Sequence, residues 1–165
     1  MAILAMEQYA YFMADDTSAK LTNEIRTFSS GVYILLPYRA LLADDTGIEH
    51  TWDYTSDAVA ALAACRLGID LVKATNVDGV ILDEKVVSEI SAEELMGRQT
   101  CVDQGALHVL NQCGGRCLVL NGTDPDRLLA NIIRRKSGTL IRGQNPGREG
   151  SDLSLIHISE PTRLL

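Results

Sequence analysis

Two polar clusters in this sequence each adjoin an apolar segment, and their residue types suit a phosphorylated ligand. Hydroxyl groups and a carboxylate come together at Thr55, Ser56 and Asp57, where an Ala-rich segment with helical spacing begins. The second cluster, residues 75–79, follows the predicted strand 69–74. An open α/β sheet binds ligands at the carboxyl ends of neighbouring strands. A helix N-terminus there supplies N–H groups and the positive end of the helix dipole. The two clusters therefore predict a crevice that accepts phosphate.

The same residues also have ordinary structural interpretations. Thr55 or Ser56 is a good N-cap for a helix, and residues 76–79 have the composition of a turn. His50 and His108 are expected at the surface or at caps, not as catalytic bases. The basic run 134–136 fits a helix C-terminus, where cations complement the dipole. From the residues alone, both phosphate binding and plain capping remain open.

Composition excludes several classes of function. The net charge of −7 argues against a nucleic-acid partner, because phosphate backbones are bound by clusters of Lys and Arg. No apolar run approaches the ~20 residues of a membrane span. The first residues lack a basic region and a cleavage signal, so they do not resemble a secretion signal. We therefore expect a cytoplasmic protein with no membrane partner and a small-molecule ligand.

Four cysteines are present. Cys65 lies in an apolar helical pattern and is predicted to be a core residue. Cys113 and Cys117 have C-x-x-x-C spacing without a second pair of ligands, which is weak support for zinc. We expect reduced structural thiols and no metal site, in keeping with a cytoplasmic location.

Hydrophobic periodicity predicts alternating helices and strands. This alternation favours an α/β domain with a mostly parallel sheet covered on both sides. Helices are predicted at 1–14, 21–27, 57–67, 91–94, 102–112 and 125–135, and a short element at 38–42; strands are predicted at 31–36, 69–74, 80–82, 116–120 and 138–141. Residues 144–165 begin with a linker composition and resemble translated sequencing-adaptor read-through. We expect them to be a non-native, disordered tail outside the domain at 1–143.

Three blocks, in this order and spacing, resemble the C-terminal part of the amino-acid-kinase superfamily. The blocks are residues 55–61, residues 70–80, and residues 119–125 with 138–141. The resemblance implies a three-layer α/β/α sandwich of the carbamate-kinase-like type. The family's opening strand with its Lys and Gly-Gly-Ser turn has no counterpart in this sequence. The expectation is a domain incomplete at its N-terminus, without kinase activity of its own and with an exposed apolar sheet edge.

The resemblance also implies roles for individual residues. Asp57 would be the catalytic carboxylate that orients lysines or the metal, and Thr55, Ser56 and Asp53 would bind the acceptor phosphate. ATP and Mg²⁺ are the implied cofactors, a small-molecule phosphate the implied substrate, and a homo-oligomer the implied assembly. The implied nucleotide-binding residues are Thr75, Asn76, Val77, Asp78, Gly79 and Asp83.

Two branches of the superfamily are similar to this sequence: archaeal-type uridylate kinases and methanogen kinases acting on aminomethylfuran methyl phosphate in methanofuran biosynthesis. Residues 2–9, Trp52-Asp53 and residues 100–103 favour the second branch, as does the absence of Tyr after Gly79-Val80. Both branches phosphorylate an existing phosphate. A non-catalytic nucleotide-sensing subunit on the same fold is a further possibility. A Rossmann dinucleotide binder is disfavoured, because no G-x-G-x-x-G follows a strand.

Overall fold

Helices and strands alternate along the chain in the computed structural model, which describes residues 2–26, 30–134 and 137–144. The helices are α1 (Ala2–Ala14), α2 (Pro37–Ala43), α3 (Ser56–Leu67), α4 (Ala92–Leu95), α5 (Gln104–Cys113) and α6 (Pro125–Arg134). The strands are β1 (Lys20–Thr22), β2 (Tyr33–Leu35), β3 (Leu71–Thr75), β4 (Ile81–Leu82), β5 (Lys85–Val86), β6 (Glu89–Ser91), β7 (Arg116–Asn121) and β8 (Thr139–Arg142).

The main sheet has four strands in the order β3-β7-β8-β6. β3 runs parallel to β7, with Leu71 opposite Cys117 and Thr75 opposite Asn121, and β6 runs parallel to β8. β7 and β8 are antiparallel. A separate parallel pair, β1-β2, and a hairpin, β4-β5, complete the strands of the described residues. The prediction of an α/β fold with a mostly parallel sheet is confirmed; the periodicity of a strand does not report its direction, so the antiparallel pair was not anticipated.

The predicted helix at 21–27 is wrong. β1 occupies Lys20–Thr22 instead and pairs with β2, and the Lys20 N–H donates to the Val32 carbonyl at 2.9 Å. Residues 27–29 lie outside the described part of the chain. Strands of two or three residues are too short to show a period of two, which is also why β5 and β6 were not predicted.

α3 and α5 pack against each other and cover one face of the main sheet. The core between them includes Val59, Leu62, Leu107 and Leu110, which belong to one buried cluster together with the sheet residue Val119. Since both helices begin at the same edge of the sheet, their N-termini lie side by side.

A disulfide joins the C-terminal ends of the same two helices. Cys65 in α3 is bonded to Cys113 in α5, with their Cα atoms 6.1 Å apart. The expectation of reduced thiols is therefore wrong for this pair, whereas Cys101 and Cys117 are free thiols. The sequence around Cys65 indicates only a buried helix position, because the pairing depends on how α3 meets α5.

An apolar groove has a volume of about 790 Å³. α1 and β2 form one side of this groove, and α3 and β3 form the other. In the described part of the chain, β3 is an edge of the main sheet, and the Val72 and Ile69 side chains are 39% and 57% exposed. No described helix combines the length and apolar character needed to cross a bilayer. Apart from Gln144, the predicted tail at 144–165 lies outside the described residues.

Candidate active site

An ion pair between Asp57 and Lys73 occupies the first turn of α3. Both carboxylate oxygens of Asp57 lie 2.5 Å from the Lys73 ammonium nitrogen. The two side chains are only 18% and 19% exposed. Lys73 lies in the middle of β3, where its side chain points to the α3 side of the sheet. A lysine in an apolar strand needs a partner, because burying an unpaired charge is costly.

Asp103 joins this ion pair to the N-termini of two helices. Its backbone N–H donates to Asp57 Oδ2 at 3.2 Å. Its Oδ2 accepts from the Thr55 N–H at 3.0 Å, from the Thr55 hydroxyl at 2.7 Å and from the Ala58 N–H at 3.2 Å. Its Oδ1 accepts from the Ala106 N–H at 2.6 Å, which caps α5. One carboxylate therefore caps α3 and α5 together.

The charges of this network nearly balance. Two carboxylates and one ammonium leave one net negative charge, and each helix N-terminus contributes roughly +0.5 elementary charge. The Asp103 carboxylate occupies the position at which a bound anion would meet these N–H groups. Lys73 has three N–H donors and uses two on Asp57. Among the described residues nothing else accepts from its ammonium group, so one donor is available to a ligand.

The predicted acceptor-side residues surround this network with different exposures. Thr55 is at the N-cap position of α3, but its side chain makes no cap bond, and its hydroxyl and N–H both bond to Asp103. Ser56 and Asp53 are exposed. The Asp53 carbonyl accepts from the Gly105 N–H at 2.7 Å, which holds the loop before α3 against α5. Their roles toward an acceptor phosphate stay predictions.

A cavity of about 480 Å³ opens at the carboxyl ends of β3 and β7. Asp78 is the one predicted nucleotide-binding residue in its wall, and Asp78 Oδ1 accepts from the Asn121 side-chain amide at 2.8 Å. The cavity is lined by Asp78, Val86, Ser88, Asn121, Thr123, Asp124, Arg127, Asn131, Ser137 and Gly138. This polar lining, with one guanidinium, suits a polar ligand larger than a single phosphate.

The other predicted nucleotide-binding residues are not in the wall of this cavity. Thr75 ends β3 and its carbonyl accepts from the Gly122 N–H at 2.7 Å, which ties this edge to β7. Asn76 is exposed and Val77 is half-buried in the turn that follows. Lys73 lies two residues before Thr75, a separation of about 7 Å along the strand. The ion pair and the cavity thus both lie toward the end of the sheet where the strands β3 and β7 finish.

Gly79 and Asp83 have clear structural roles. Gly79 has φ +155°, and a Cβ there would lie 2.5 Å from the Thr139 hydroxyl oxygen, so only glycine fits between the turn and β8. Asp83 and Glu84 have φ of 47° and 62° and form the two-residue turn between β4 and β5. Asp83 is exposed at this hairpin tip. A role in nucleotide binding stays a prediction for both predicted residues.

Two free thiols lie near the ion pair. Burial raises the pKa of Cys101 above its usual value, and the neighbouring Lys73 ammonium opposes that rise. Burial, assisted by the Asp57 carboxylate, raises the pKa of Cys117 to about 12. Both thiols are therefore protonated at neutral pH and place no further negative charge beside Asp57.

The sequence did not identify Lys73, Asp103, Asn121 or Arg127 as site residues. Lys73 carried a usable signal, because a charged side chain inside an apolar strand must have a partner. Asp103 was placed inside the predicted helix at 102–112, whereas it is the N-cap of α5. Its bonds to α3 cross 45 to 48 positions of sequence and depend on the packing of the two helices.

Magnesium is implied by the resemblance, but the described residues do not form a ready site for it. They contain no group of three or more His, Cys, Asp or Glu side chains placed to hold a metal ion. Mg²⁺ in nucleotide sites often relies on one or two carboxylates together with phosphate oxygens. Both oxygens of Asp57, the predicted catalytic carboxylate, already accept from Lys73. No step of the reaction is therefore assigned to the ion.

Comparison with known proteins agrees with this architecture. Over 106 residues the chain is 29% identical to a uridylate kinase from Methanothermobacter thermautotrophicus strain Delta H, covering 53% of this chain and 47% of that protein. The chain thus spans about half the length of this curated relative.

Two solved structures share the fold. A UMP kinase from Bacillus anthracis superposes with a TM-score of 0.55 at 17% identity, covering 87% of this chain and 66% of that one. A uridylate kinase from Archaeoglobus fulgidus gives a TM-score of 0.55 at 23% identity, with coverage of 84% and 69%. The sequence profile of the amino acid kinase family matches residues 10–121, which is more than half of the chain. The chain belongs to the amino acid kinase family.

Proposed function

We propose that this chain carries part of the site of an ATP-dependent kinase that phosphorylates a small-molecule phosphate. The observation that carries the proposal is that the Asp57–Lys73 pair and a polar cavity both lie toward the carboxyl ends of the strands β3 and β7. An ammonium group and a cavity of nucleotide size at the same end of the sheet suit a reaction in which two phosphate groups must meet. Family membership and the names of the similar proteins support the same class of reaction.

In the proposed reaction an oxygen of the acceptor phosphate attacks the γ-phosphorus of ATP. The bond from that phosphorus to the bridging β,γ-oxygen breaks, and ADP leaves. Such transfers depend mainly on positioning and on stabilising charge over the transferred group. Asp57 would hold the Lys73 ammonium in place, and the remaining Lys73 N–H would donate to a phosphate oxygen. Asp78, Asn121 and Arg127 would contact the nucleotide.

The acceptor is proposed from two separate lines of support. The sequence features at residues 2–9, Trp52-Asp53 and residues 100–103 favour aminomethylfuran methyl phosphate, and so a role in methanofuran biosynthesis. The names of the similar proteins favour UMP, the alternative acceptor. Trp52 is 83% exposed in the loop before α3, so its ring is available to stack on either planar acceptor.

Further parts of the proposal concern the context of the reaction. ATP with Mg²⁺ is the proposed phosphate donor, the cytoplasm the proposed compartment, and a homo-oligomer the proposed assembly. We also retain the proposal that the 165-residue chain has no kinase activity by itself. Efficient ATP-dependent turnover by this chain would contradict that last point. A nucleotide sensor without catalysis is the alternative that a binding-only result would favour.

Isothermal titration with ATP and Mg²⁺ tests the nucleotide part. We expect binding to the native chain and binding about tenfold weaker or more in Lys73→Met, because a hydrogen bond to a charged group contributes about 1.5–3 kcal/mol. Lys20→Met, which removes an exposed lysine of β1, is the matched control and should bind like the native chain. Equal affinities for all three proteins would rule out a contact between Lys73 and phosphate.

Acceptor profiling tests the second substrate. UMP and aminomethylfuran methyl phosphate are each offered with radiolabelled ATP to the chain and to a longer natural version that includes any preceding residues. Phosphorylation of the furan compound supports the methanofuran proposal. Phosphorylation of UMP alone replaces it with uridylate kinase activity, and ATP binding without any transfer favours the sensor.

A further inference from the structure

We propose that Asp103 is a positioning residue that fixes the Asp57–Lys73 pair for phosphoryl transfer. Its importance for catalysis rests on the proposed function, whereas its effect on the ion pair does not. Asp103 touches neither the cavity wall nor the Lys73 ammonium among the described contacts. It acts on the pair through Asp57 and through the helix turn that carries Asp57.

The first contact is direct. The Asp103 N–H donates to Asp57 Oδ2 at 3.2 Å, and the same oxygen lies 2.5 Å from Lys73 Nζ. A carboxylate on a short side chain can rotate about its last bond, so a fixed donor on one oxygen selects one orientation. In that orientation both oxygens of Asp57 face Lys73.

The second contact fixes the backbone from which Asp57 projects. Asp103 Oδ2 accepts from three donors, two on Thr55 and one on Ala58, and these residues flank Asp57. The Asp53 carbonyl accepts from the Gly105 N–H two residues beyond Asp103, so the loop before α3 is held as well. A shift of α5 relative to α3 would therefore move Asp57 away from Lys73.

This arrangement exceeds what a helix cap requires. Capping of α5 uses only the bond from Asp103 Oδ1 to the Ala106 N–H, which Ser or Asn could also make. The second oxygen is committed to a different helix and takes three donors at once. An ionised carboxylate, with about four acceptor positions and no donor, suits this pattern, whereas the amide nitrogen of Asn would repel the donors.

The ammonium group of Lys73 provides a direct readout. The chain has only four lysines, so ¹⁵N-lysine labelling gives a simple NMR spectrum, and Lys73→Met assigns the signal. An ammonium held by a carboxylate exchanges slowly with water and gives a visible cross-peak. We expect this cross-peak in the native chain and its loss in Asp103→Asn, measured where both proteins are folded. An unchanged cross-peak in Asp103→Asn, with only a lower unfolding temperature, would reduce Asp103 to a cap and overturn the proposal.

Ser91→Ala is the matched control. Ser91 caps α4 by accepting from the Glu94 N–H at 3.1 Å, and it has no described contact with the ion pair. It should lower stability and leave the Lys73 cross-peak intact; loss of the cross-peak in this variant too would show a general loosening and contradict the proposal. If Asp103→Asn does not fold, Thr55→Val removes a single bond to Asp103, and broadening of the cross-peak supports the proposal while an unchanged one overturns it.

ATP titration then separates this proposal from the proposed function. If both hold, Asp103→Asn binds or turns over ATP less well than Ser91→Ala, in step with its altered cross-peak. If Asp103→Asn loses the cross-peak but neither the native chain nor any variant binds ATP, the positioning role stands and the kinase proposal fails.

Discussion

The function of single residues at this site depends on partners that are distant in sequence. Asp57 lies at a position where a plain helix cap was equally reasonable, and its contact with Lys73 gives it a different role. Lys73 in turn is tolerated in a sheet strand because Asp57 neutralises it. Residue types predicted a phosphate site, and that role stays a prediction; the structure adds that Asp57 is paired with Lys73.

Lys73→Met tests the pairing through stability. Replacing the ammonium leaves the Asp57 carboxylate without its cation at a mostly buried position. We expect a loss of about 1–3 kcal/mol in the free energy of unfolding, measured by urea denaturation. The double variant Asp57→Asn/Lys73→Met removes both charges and should recover part of that loss. If the double variant loses more free energy of unfolding than the two single variants lose together, the pairing is contradicted.

Gly105→Ala tests the contact that holds α5 to the loop before α3. A Cβ at this position would lie 2.6 Å from the Tyr54 ring and 2.7 Å from the Asp53 carbonyl oxygen. Because the carbonyl belongs to the backbone, the two segments must separate, and we expect about 1–3 kcal/mol of destabilisation by thermal unfolding. His108→Ala, on the exposed side of the same helix, is the control and should change stability by no more than about 0.5 kcal/mol.

At the level of elements, most helices and strands followed from periodicity and caps. A capping box formed by Ser91 and Glu94 starts α4, and the Asp124 carboxylate caps α6 by accepting from the N–H groups of Asp126 and Arg127. These signals are local, so a sequence contains them in full. The cap of α3 was assigned to its own Thr55 or Ser56 and comes from Asp103, because tertiary contact replaced the local candidate.

The packing of α3 against α5 is held by side-chain links at both ends of the two helices. Asp103 joins the N-termini of α3 and α5, and the Cys65–Cys113 disulfide joins their C-terminal ends. The bridged cysteines are 48 residues apart. For a loop of this length, the chain-entropy treatment gives a stabilisation of about 4 kcal/mol.

Reduction of the disulfide should therefore lower the unfolding temperature markedly. The measurement is thermal unfolding with and without dithiothreitol, since the bridge restricts the unfolded chain. Cys65→Ser/Cys113→Ser should unfold like the reduced native chain and show no further response to the reductant. If dithiothreitol leaves the unfolding temperature of the native chain unchanged, these cysteines are not bridged in solution.

At the level of the whole molecule, the exposed sheet edge at β3 is the feature that the sequence indicated only through a resemblance. Parallel sheets are normally covered on both faces and paired along their strands. In the described part of the chain, β3 has a partner only on the β7 side, and the adjacent groove is lined mainly by apolar side chains. Local patterns give the strand itself, but whether an edge is covered is decided by the assembled fold.

Exposed apolar edges promote association, because unpaired strand groups and apolar side chains both find partners in another molecule. We expect the chain to associate with rising concentration, measured by light scattering and sedimentation velocity. Val72→Lys places a charge on the exposed side of β3 and should reduce that association. Leu129→Lys changes an apolar residue of α6 that is more exposed than Val72, 59% against 39%, and should leave the association unaltered. Equal suppression by both variants would indicate nonspecific association driven by net charge, and a monodisperse monomer at high concentration would show that the edge of β3 does not drive assembly.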